Sequence, residues 1–158
     1  MAHVKDKGFV ENFLKREGRL NRWRYFKRMF ALLIISEVII IVVSMIAALS
    51  MPTVIFSSDT SLFDNLTVNV AKVVCFLLTP AYFCLMVRRL HDLNKSEVIA
   101  YVAVAVICVN ILSLDLEQEE DSILEIALQW LNFAFTLYLL FFPGTKGNNK
   151  YGSDPLEK

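Results

Sequence analysis

The longest apolar stretch of the chain, from Met29 to Met51, holds 23 residues and one charged side chain, Glu37. A bilayer has a hydrocarbon core roughly 30 Å thick, and about 20 helical residues cross it. The stretch follows 28 other residues and is longer than the apolar part of a secretory signal, which argues against a cleaved leader. We therefore expect a permanent membrane span.

Three further apolar stretches follow, at residues 68–87, 98–114 and 123–142. Together with the first, at residues 29–51, they predict an all-α polytopic integral membrane protein with a four-helix transmembrane bundle. A basic, aromatic segment of residues 1–28 precedes the spans, and a tail of residues 143–158 rich in Gly and Asn follows them. A soluble helical bundle is the rival interpretation, and the distribution of charge decides between the two.

The connecting segments alternate in their content of Lys and Arg. Nine of these residues precede Met29, three lie between the second and third stretches, and three lie in the tail, whereas residues 52–67 and 115–122 have none. Membrane insertion retains Lys and Arg on the cytoplasmic side, and a soluble bundle has no reason for such alternation. We therefore expect both termini in the cytoplasm. The formal net charge of zero is then the sum of +8 on the cytoplasmic side, −7 in the outer loops and −1 within the spans.

The segment before the first span combines basic and aromatic side chains. Phe9, Val10, Phe13 and Leu14 fall on one face of a helix, which predicts a short cytoplasmic amphipathic helix at the membrane surface. Three aromatic residues then precede the first span: Trp23, Tyr25 and Phe26. Directly ahead of a span this mixture favours lipid headgroups over nucleic acid, and the neutral net charge gives no separate reason to expect nucleic acid.

Some polar side chains fall inside the predicted spans and are candidates for a structural or transport role: Glu37, Lys72, Glu125, Gln129 and Asn132. Lys72 and Glu125 are expected at a similar depth near the outer edge, so we predict that they pair, unless each reaches separately to the outer interface. The polar residues of the fourth span share one face, which we expect to point inward. Interhelical hydrogen bonds are one interpretation of the set, and a protonatable Glu37 in a small transporter is the other.

Residue types for a catalytic or metal site are sparse. The chain has two histidines and three cysteines, and it lacks the HExxH, CxxC, GxSxG and glycine-rich phosphate-loop patterns. The cysteines, at positions 75, 84 and 108, all fall within predicted spans, where thiols usually serve packing. We therefore expect no cofactor, no metal and no enzymatic activity.

The most distinctive residues lie in three segments on the predicted cytoplasmic side. They are GRLNRWRYF (residues 18–26), RRLHDLNKS (residues 88–96) and FPGTKGNNKYGSDP (residues 142–155). In this order and spacing the chain closely resembles the small bacterial inner-membrane proteins grouped as domain-of-unknown-function family 805. The resemblance implies a multi-pass protein of the bacterial inner (plasma) membrane, and it implies no particular activity.

The chain departs from the family pattern in the second of these segments. Asn94 stands where the family usually has glycine, and Glu97 and Val98 stand where a Gly-Trp pair is common. Asn tolerates a left-handed backbone better than most residues, so we expect the turn after Asp92 to persist.

The three segments lie on one side of the predicted membrane, so we expect them to converge into a single cap, a name used below for residues 18–26, 88–96 and 142–155. Pro143 is expected to end the fourth helix. The candidate binding residues of the cap are Arg19, Arg22, Arg88, Arg89, His91, Asp92, Asn149, Tyr151 and Asp154. Either Asp92 and Asp154 pair with arginines and fasten the cap, or some arginines stay free to bind a lipid phosphate or another anion.

Three functions follow in order of preference. The first is a non-enzymatic membrane module whose basic cap binds anionic lipid or a protein partner, with a second copy of the chain or another membrane protein as the partner. The second is a small oligomeric transporter or channel component that uses Glu37 and Lys72. The third is an enzyme that acts on lipid headgroups with His91 and Asp92 as acid and base.

Overall fold

The computed structural model describes residues 8–50, 61–113 and 123–156. Its helices are α1 (Gly8–Phe13), α2 (Arg22–Ser50), α3 (Ser61–Asp92), α4 (Val98–Leu112) and α5 (Ile123–Phe141). These residues form no β-strand, apart from one isolated bridge between Asn149 and Gly152 in the tail. The all-α prediction is confirmed. The predicted outer loops lie mostly outside the described residues.

Within the described residues, three helices are long and apolar enough to cross a membrane, namely α2, residues 63–92 of α3, and α5. α4 is also apolar but shorter, with 15 residues. Side chains such as Ile41, Leu77 and Leu131 leave more than half of their surface exposed, as expected of helices whose outer surface contacts lipid. The helices are those of a membrane protein, with three candidate spans where the sequence predicts four.

Two helices, α2 and α3, run beyond the apolar stretches that predict them. α2 begins at Arg22 rather than near Met29, because the side chain of Asn21 caps it by accepting the N–H of Arg24 at 2.8 Å. α3 continues through polar residues to Asp92. α5 ends at Phe141, two positions before Pro143, as the sequence predicts.

Among the described residues, α3 contacts each of the other four helices, including α5. α2 contacts α3 and α5, α4 contacts the same two helices, and α1 contacts α3. The main buried cluster includes Leu20, Tyr25, Leu85, Leu90 and Leu139, so it lies where the chain enters α2 and leaves α3 and α5. Tyr25 is therefore a core residue, and of the three aromatic residues expected near lipid headgroups it is the buried one.

The end of α3 is surrounded by protein on all sides. Every residue from Cys84 to Leu93 is buried, whereas Val74 and Ala81 are the only buried residues between Phe63 and Phe83. Asn94 then turns the chain with a φ of 56°, which confirms the predicted left-handed turn. The C-terminal end of α3 is thus the point around which the cap is built.

Candidate functional site

Asp92 lies at the centre of the cap between two arginines. Its Oδ1 accepts from Arg19 Nε at 3.1 Å, and its Oδ2 accepts from Arg89 Nη1 at 2.5 Å. The side chains of all three residues are at most 3% exposed. We call Arg19, Arg89 and Asp92 the Asp92 cluster. Two cations against one buried carboxylate leave a positive charge that needs further acceptors.

Backbone carbonyls supply those acceptors. The Arg19 guanidinium donates to the carbonyl of Gly147 at 2.6 Å and also to that of Thr145. The Arg89 guanidinium donates to Leu139 O at 2.7 Å and to Phe142 O. The cluster therefore joins the segment before α2, the end of α3, the end of α5 and the tail into one unit. The predicted convergence of the three segments is observed.

Other segments of the cap satisfy the last carbonyls of α3. Leu20 N–H donates to Arg88 O at 3.0 Å, and the amide and hydroxyl of Thr145 donate to Asp92 O at 2.8 and 3.0 Å. The side-chain amide of Asn149 donates to His91 O at 2.9 Å. The final carbonyls of a helix have no partner within it. Here the turn after α3 supplies some of the donors, through the N–H groups of Leu93, Asn94 and Lys95, and residues distant in the sequence supply the others.

Gly144 has a steric role at this point. A Cβ on Gly144 would overlap the carboxylate of Asp92 and lie 2.7 Å from its Cγ. Asp92 is fixed by two guanidinium groups, so it cannot move aside to admit a larger residue. The tail approaches α3 this closely only because residue 144 is glycine.

His91 is held by stacking and by a hydrogen bond. Its ring lies 3.8 Å from the ring of Tyr151 at an interplanar angle of 13°, and its Nδ1 is 3.3 Å from the carbonyl oxygen of Gly18. The geometry makes Nδ1 the donor, because a carbonyl only accepts. His91 and Asp92 are thus each occupied by separate structural contacts, and their side chains do not face a common reactant.

Asp154 is held differently from Asp92. Its carboxylate accepts the backbone N–H groups of Leu156 and Gly147, each at 2.9 Å. These donors, led by Leu156, hold the pKa of Asp154 below its usual range. The predicted pairing with an arginine is observed for Asp92. At Asp154 the tail turns back and places its own amides at the carboxylate, and Arg19 contributes only a weaker electrostatic attraction.

The remaining arginines differ in exposure. Arg88 is buried and donates to Glu11 O at 3.1 Å, which fastens α1 to α3. Arg22 is exposed, and it lines two cavities. The larger cavity has a volume of about 440 Å³, and its other lining residues are Trp23, Phe26, Leu140 and Phe141. Trp23 and Phe26 were expected at a membrane interface, whereas nothing in the sequence placed Leu140 and Phe141 opposite them.

The polar residues predicted inside the membrane are distributed over several faces. Ser36 and Ser44 of α2 are buried, whereas Glu37 is exposed. Lys72 and Glu125 are both half-buried and neither lacks a partner, so their mutual pairing stays a prediction.

The predicted inward face of the last helix is wrong for one residue. Asn132 is half-buried but Gln129 is exposed. At about 100° of rotation per residue the two side chains lie roughly 60° apart and share a face, so the neighbouring helices cover only part of that face.

No group of three metal-ligating side chains occurs among residues 8–50, 61–113 and 123–156. Neither a curated protein nor a solved structure matches the chain. A sequence model of the family described as "Protein of unknown function (DUF805)" matches residues 13–153. This range covers every residue of the Asp92 cluster, and the chain belongs to that family.

Proposed function

We propose that this protein is a non-enzymatic module of the bacterial inner membrane, with four spans, both termini in the cytoplasm and a cap that binds anionic lipid. The cap carries the proposal, because exposed cations lie beside exposed aromatic rings on its surface. The arginines inside the cap are already hydrogen-bonded within the protein. Arg22, Trp23, Phe26 and Lys146 are all exposed, and Arg19 and Arg89 are bound internally.

The direction of the helices supports four spans. Arg89, near the end of α3, donates to Leu139 and Phe142 at the end of α5, so both helices arrive at the same level. The chain must return to the opposite side between them, and α4 lies in that interval against both helices. Its 15 residues contain no charged side chain and extend about 22 Å.

Cysteine labelling tests this topology. In a protein with Cys75, Cys84 and Cys108 changed to Ser, we would introduce either Ser113→Cys, just after α4, or Ser153→Cys in the tail. A membrane-impermeant maleimide should label position 113 from the outside of intact cells, and position 153 only after permeabilisation. Labelling of both positions from the same side would contradict the four-span arrangement.

Lipid stabilisation tests the binding function. A ligand that binds only the folded state raises its stability in proportion to the logarithm of its concentration. Phosphatidylglycerol added to the purified protein in a neutral detergent should therefore raise the thermal midpoint more than phosphatidylcholine does, and added salt should reduce the difference. Equal effects of the two lipids would overturn the proposal.

The exposure of Glu37 favours a second candidate, an oligomeric transporter or channel component. A carboxylate on an apolar helix surface at membrane depth is costly unless a partner covers it. In the single chain Glu37 is exposed beside apolar residues such as Val38 and Ile41. If Glu37→Gln abolishes a cellular phenotype while the detergent-solubilised protein keeps its oligomeric state and stability, the transport function is favoured.

A further inference from the structure

The larger cavity lies between the start of α2 and the end of α5. Trp23 and Phe26 form one wall, and Leu140 and Phe141 form the other. Its volume of about 440 Å³ falls within the range of roughly 300–1,000 Å³ that is usual for small-molecule sites. Phe141 is 70% exposed, so the cavity opens toward the apolar surface that the helices present to lipid. Such a slot suits an acyl chain.

A second cavity, of about 170 Å³, shares a lining residue with the first. Arg22 lines both cavities, and Lys146 lines the smaller one. The walls are continuous along the chain, because residues 21–26 follow one side and residues 140–146 follow the other. An apolar slot therefore leads directly to two exposed cationic side chains.

The acidic residues of the smaller cavity do not cancel this positive charge. Asp92 lines it but is bound by Arg19 and Arg89, and Asp154 is bound by backbone amides. Arg22 and Lys146 line the cavity with Asp92 and Asp154, and Arg19 and Arg89 pair with Asp92 without lining it, so four cationic side chains lie near two carboxylates. The local field favours an anion.

We propose that this pair of cavities binds one anionic glycerophospholipid, with its phosphate between Arg22 and Lys146 and an acyl chain between Trp23 and Phe141. The site rests on the proposed lipid-binding function and gives that function a location. A zwitterionic headgroup would bring its own ammonium group next to Lys146, and the two positive charges would repel each other. An anionic headgroup has no cationic group and avoids this repulsion. Arg22 can donate to two phosphate oxygens at once, which fixes the position of the headgroup.

Trp23 provides a direct reporter of occupancy. The chain has two tryptophans, Trp23 and Trp130, so Trp130→Phe leaves the one that lines the cavity. We would reconstitute this protein in phosphatidylcholine vesicles that contain either phosphatidylglycerol or phosphatidylcholine with brominated acyl chains. Bromine quenches tryptophan fluorescence only on close approach. Brominated phosphatidylglycerol should reach half-maximal quenching at a mole fraction lower by about fivefold or more.

Charge variants identify the headgroup contacts. In the Trp130→Phe background, Arg22→Gln and Lys146→Gln should each raise the half-maximal mole fraction of brominated phosphatidylglycerol about fivefold. Lys150→Gln is the matched control, because Lys150 contacts Tyr151 and lines neither cavity. Two separate variants are used so that a folding defect in one does not decide the result. An equal effect of Lys150→Gln would show general surface attraction and overturn the site.

The remaining outcomes separate the site from the function. One outcome is that phosphatidylglycerol stabilises the protein while its brominated form quenches Trp23 only at the same mole fraction as brominated phosphatidylcholine does. In that case the site is wrong and the lipid-binding function stands. If neither effect is seen, both fail. Inorganic phosphate should not displace the brominated lipid, because it makes no apolar contact. Displacement by phosphate would assign the cations to a soluble anion and overturn the lipid site.

Discussion

α3 has two parts that differ in burial, and we call residues 63–83 its first half and residues 84–92 its second half. Between Phe63 and Phe83 the helix buries only Val74 and Ala81, and large apolar side chains such as Phe76 and Leu77 are exposed. From Cys84 to Asp92 every residue is buried. This second half includes arginine, histidine and aspartate. The more hydrophobic first half is thus the less buried one. The second half is completely buried although it carries charged residues.

The two halves are stabilised by different interactions. In the first half, apolar surface is left for the bilayer, and packing within the chain is light. In the second half, hydrogen bonds and ion pairs position segments that are far apart in sequence, as in the contact between Arg89 and Leu139. A buried polar group costs free energy unless it is hydrogen-bonded, so the many hydrogen bonds of this half specify its neighbours closely.

Replacing Asp92 should cause the largest loss. Asp92→Ala leaves Arg19 and Arg89 buried without their carboxylate, and breaking a buried ion pair costs about 3–5 kcal/mol. Equilibrium unfolding in mixed detergent measures the change in free energy. The matched control is Glu97→Ala, which removes an exposed pair with Arg16 and should cost about 0–1 kcal/mol. Similar losses from the two variants would contradict the idea that burial makes the ion pairs of the second half stronger determinants of stability than an exposed pair.

Two leucines of α3 compare the halves directly. Leu90 is fully buried, and Leu77 is 72% exposed. Leu90→Ala should therefore lower the free energy of unfolding by about 2–5 kcal/mol. Leu77→Ala should change it by less than about 0.5 kcal/mol. If Leu77→Ala proves equally destabilising, a partner or specific packing covers the first half.

Gly144→Ala tests the close approach of the tail. The added methyl group meets the fixed carboxylate of Asp92, and overpacking of this kind costs about 1–3 kcal/mol. Limited proteolysis should then cut the tail faster, and the thermal midpoint should fall. Ser153→Ala, at an exposed position of the same tail, is the control and should leave both measurements unchanged.

Asp154 should give the smallest effect, and it depends on pH. Its pKa is lowered in the folded chain, so its contribution to holding the tail is present above the unfolded pKa and is lost as the pH falls through the folded value. Proteolysis of the tail should therefore accelerate below about pH 4. Asp154→Asn should remove this acid-dependent step. A step that persists in the variant would assign it to another group.

The sequence predicts features that depend on local chemistry. The apolar stretches predict the long helices, Asn94 predicts a left-handed turn, and Pro143 predicts the end of α5. The three motif segments also predict a common cap. Each of these follows from residues acting within a few positions or from the shared side of a membrane.

Other features depend on contacts that composition does not reveal. Arg19 and Arg89 were candidates for binding an external anion, but they donate to the chain's own carbonyls. The carbonyls that need a partner from outside their helix can be identified only when the exact ends of the helices are known. The wall that Leu140 and Phe141 form opposite Trp23 likewise depends on how α5 ends beside α2. Such pairings are set by tertiary packing.

The contact between Asp92 and Thr145 also orders events during synthesis. These residues are 53 positions apart, so at about 5–20 residues per second Thr145 is made several seconds after Asp92. Through that interval the Asp92 carbonyl lacks the amide and the hydroxyl that later donate to it. The cap therefore closes last, after the apolar helices have been made. A chain truncated before Thr145 lacks both of the donors that the Asp92 carbonyl has in the finished protein.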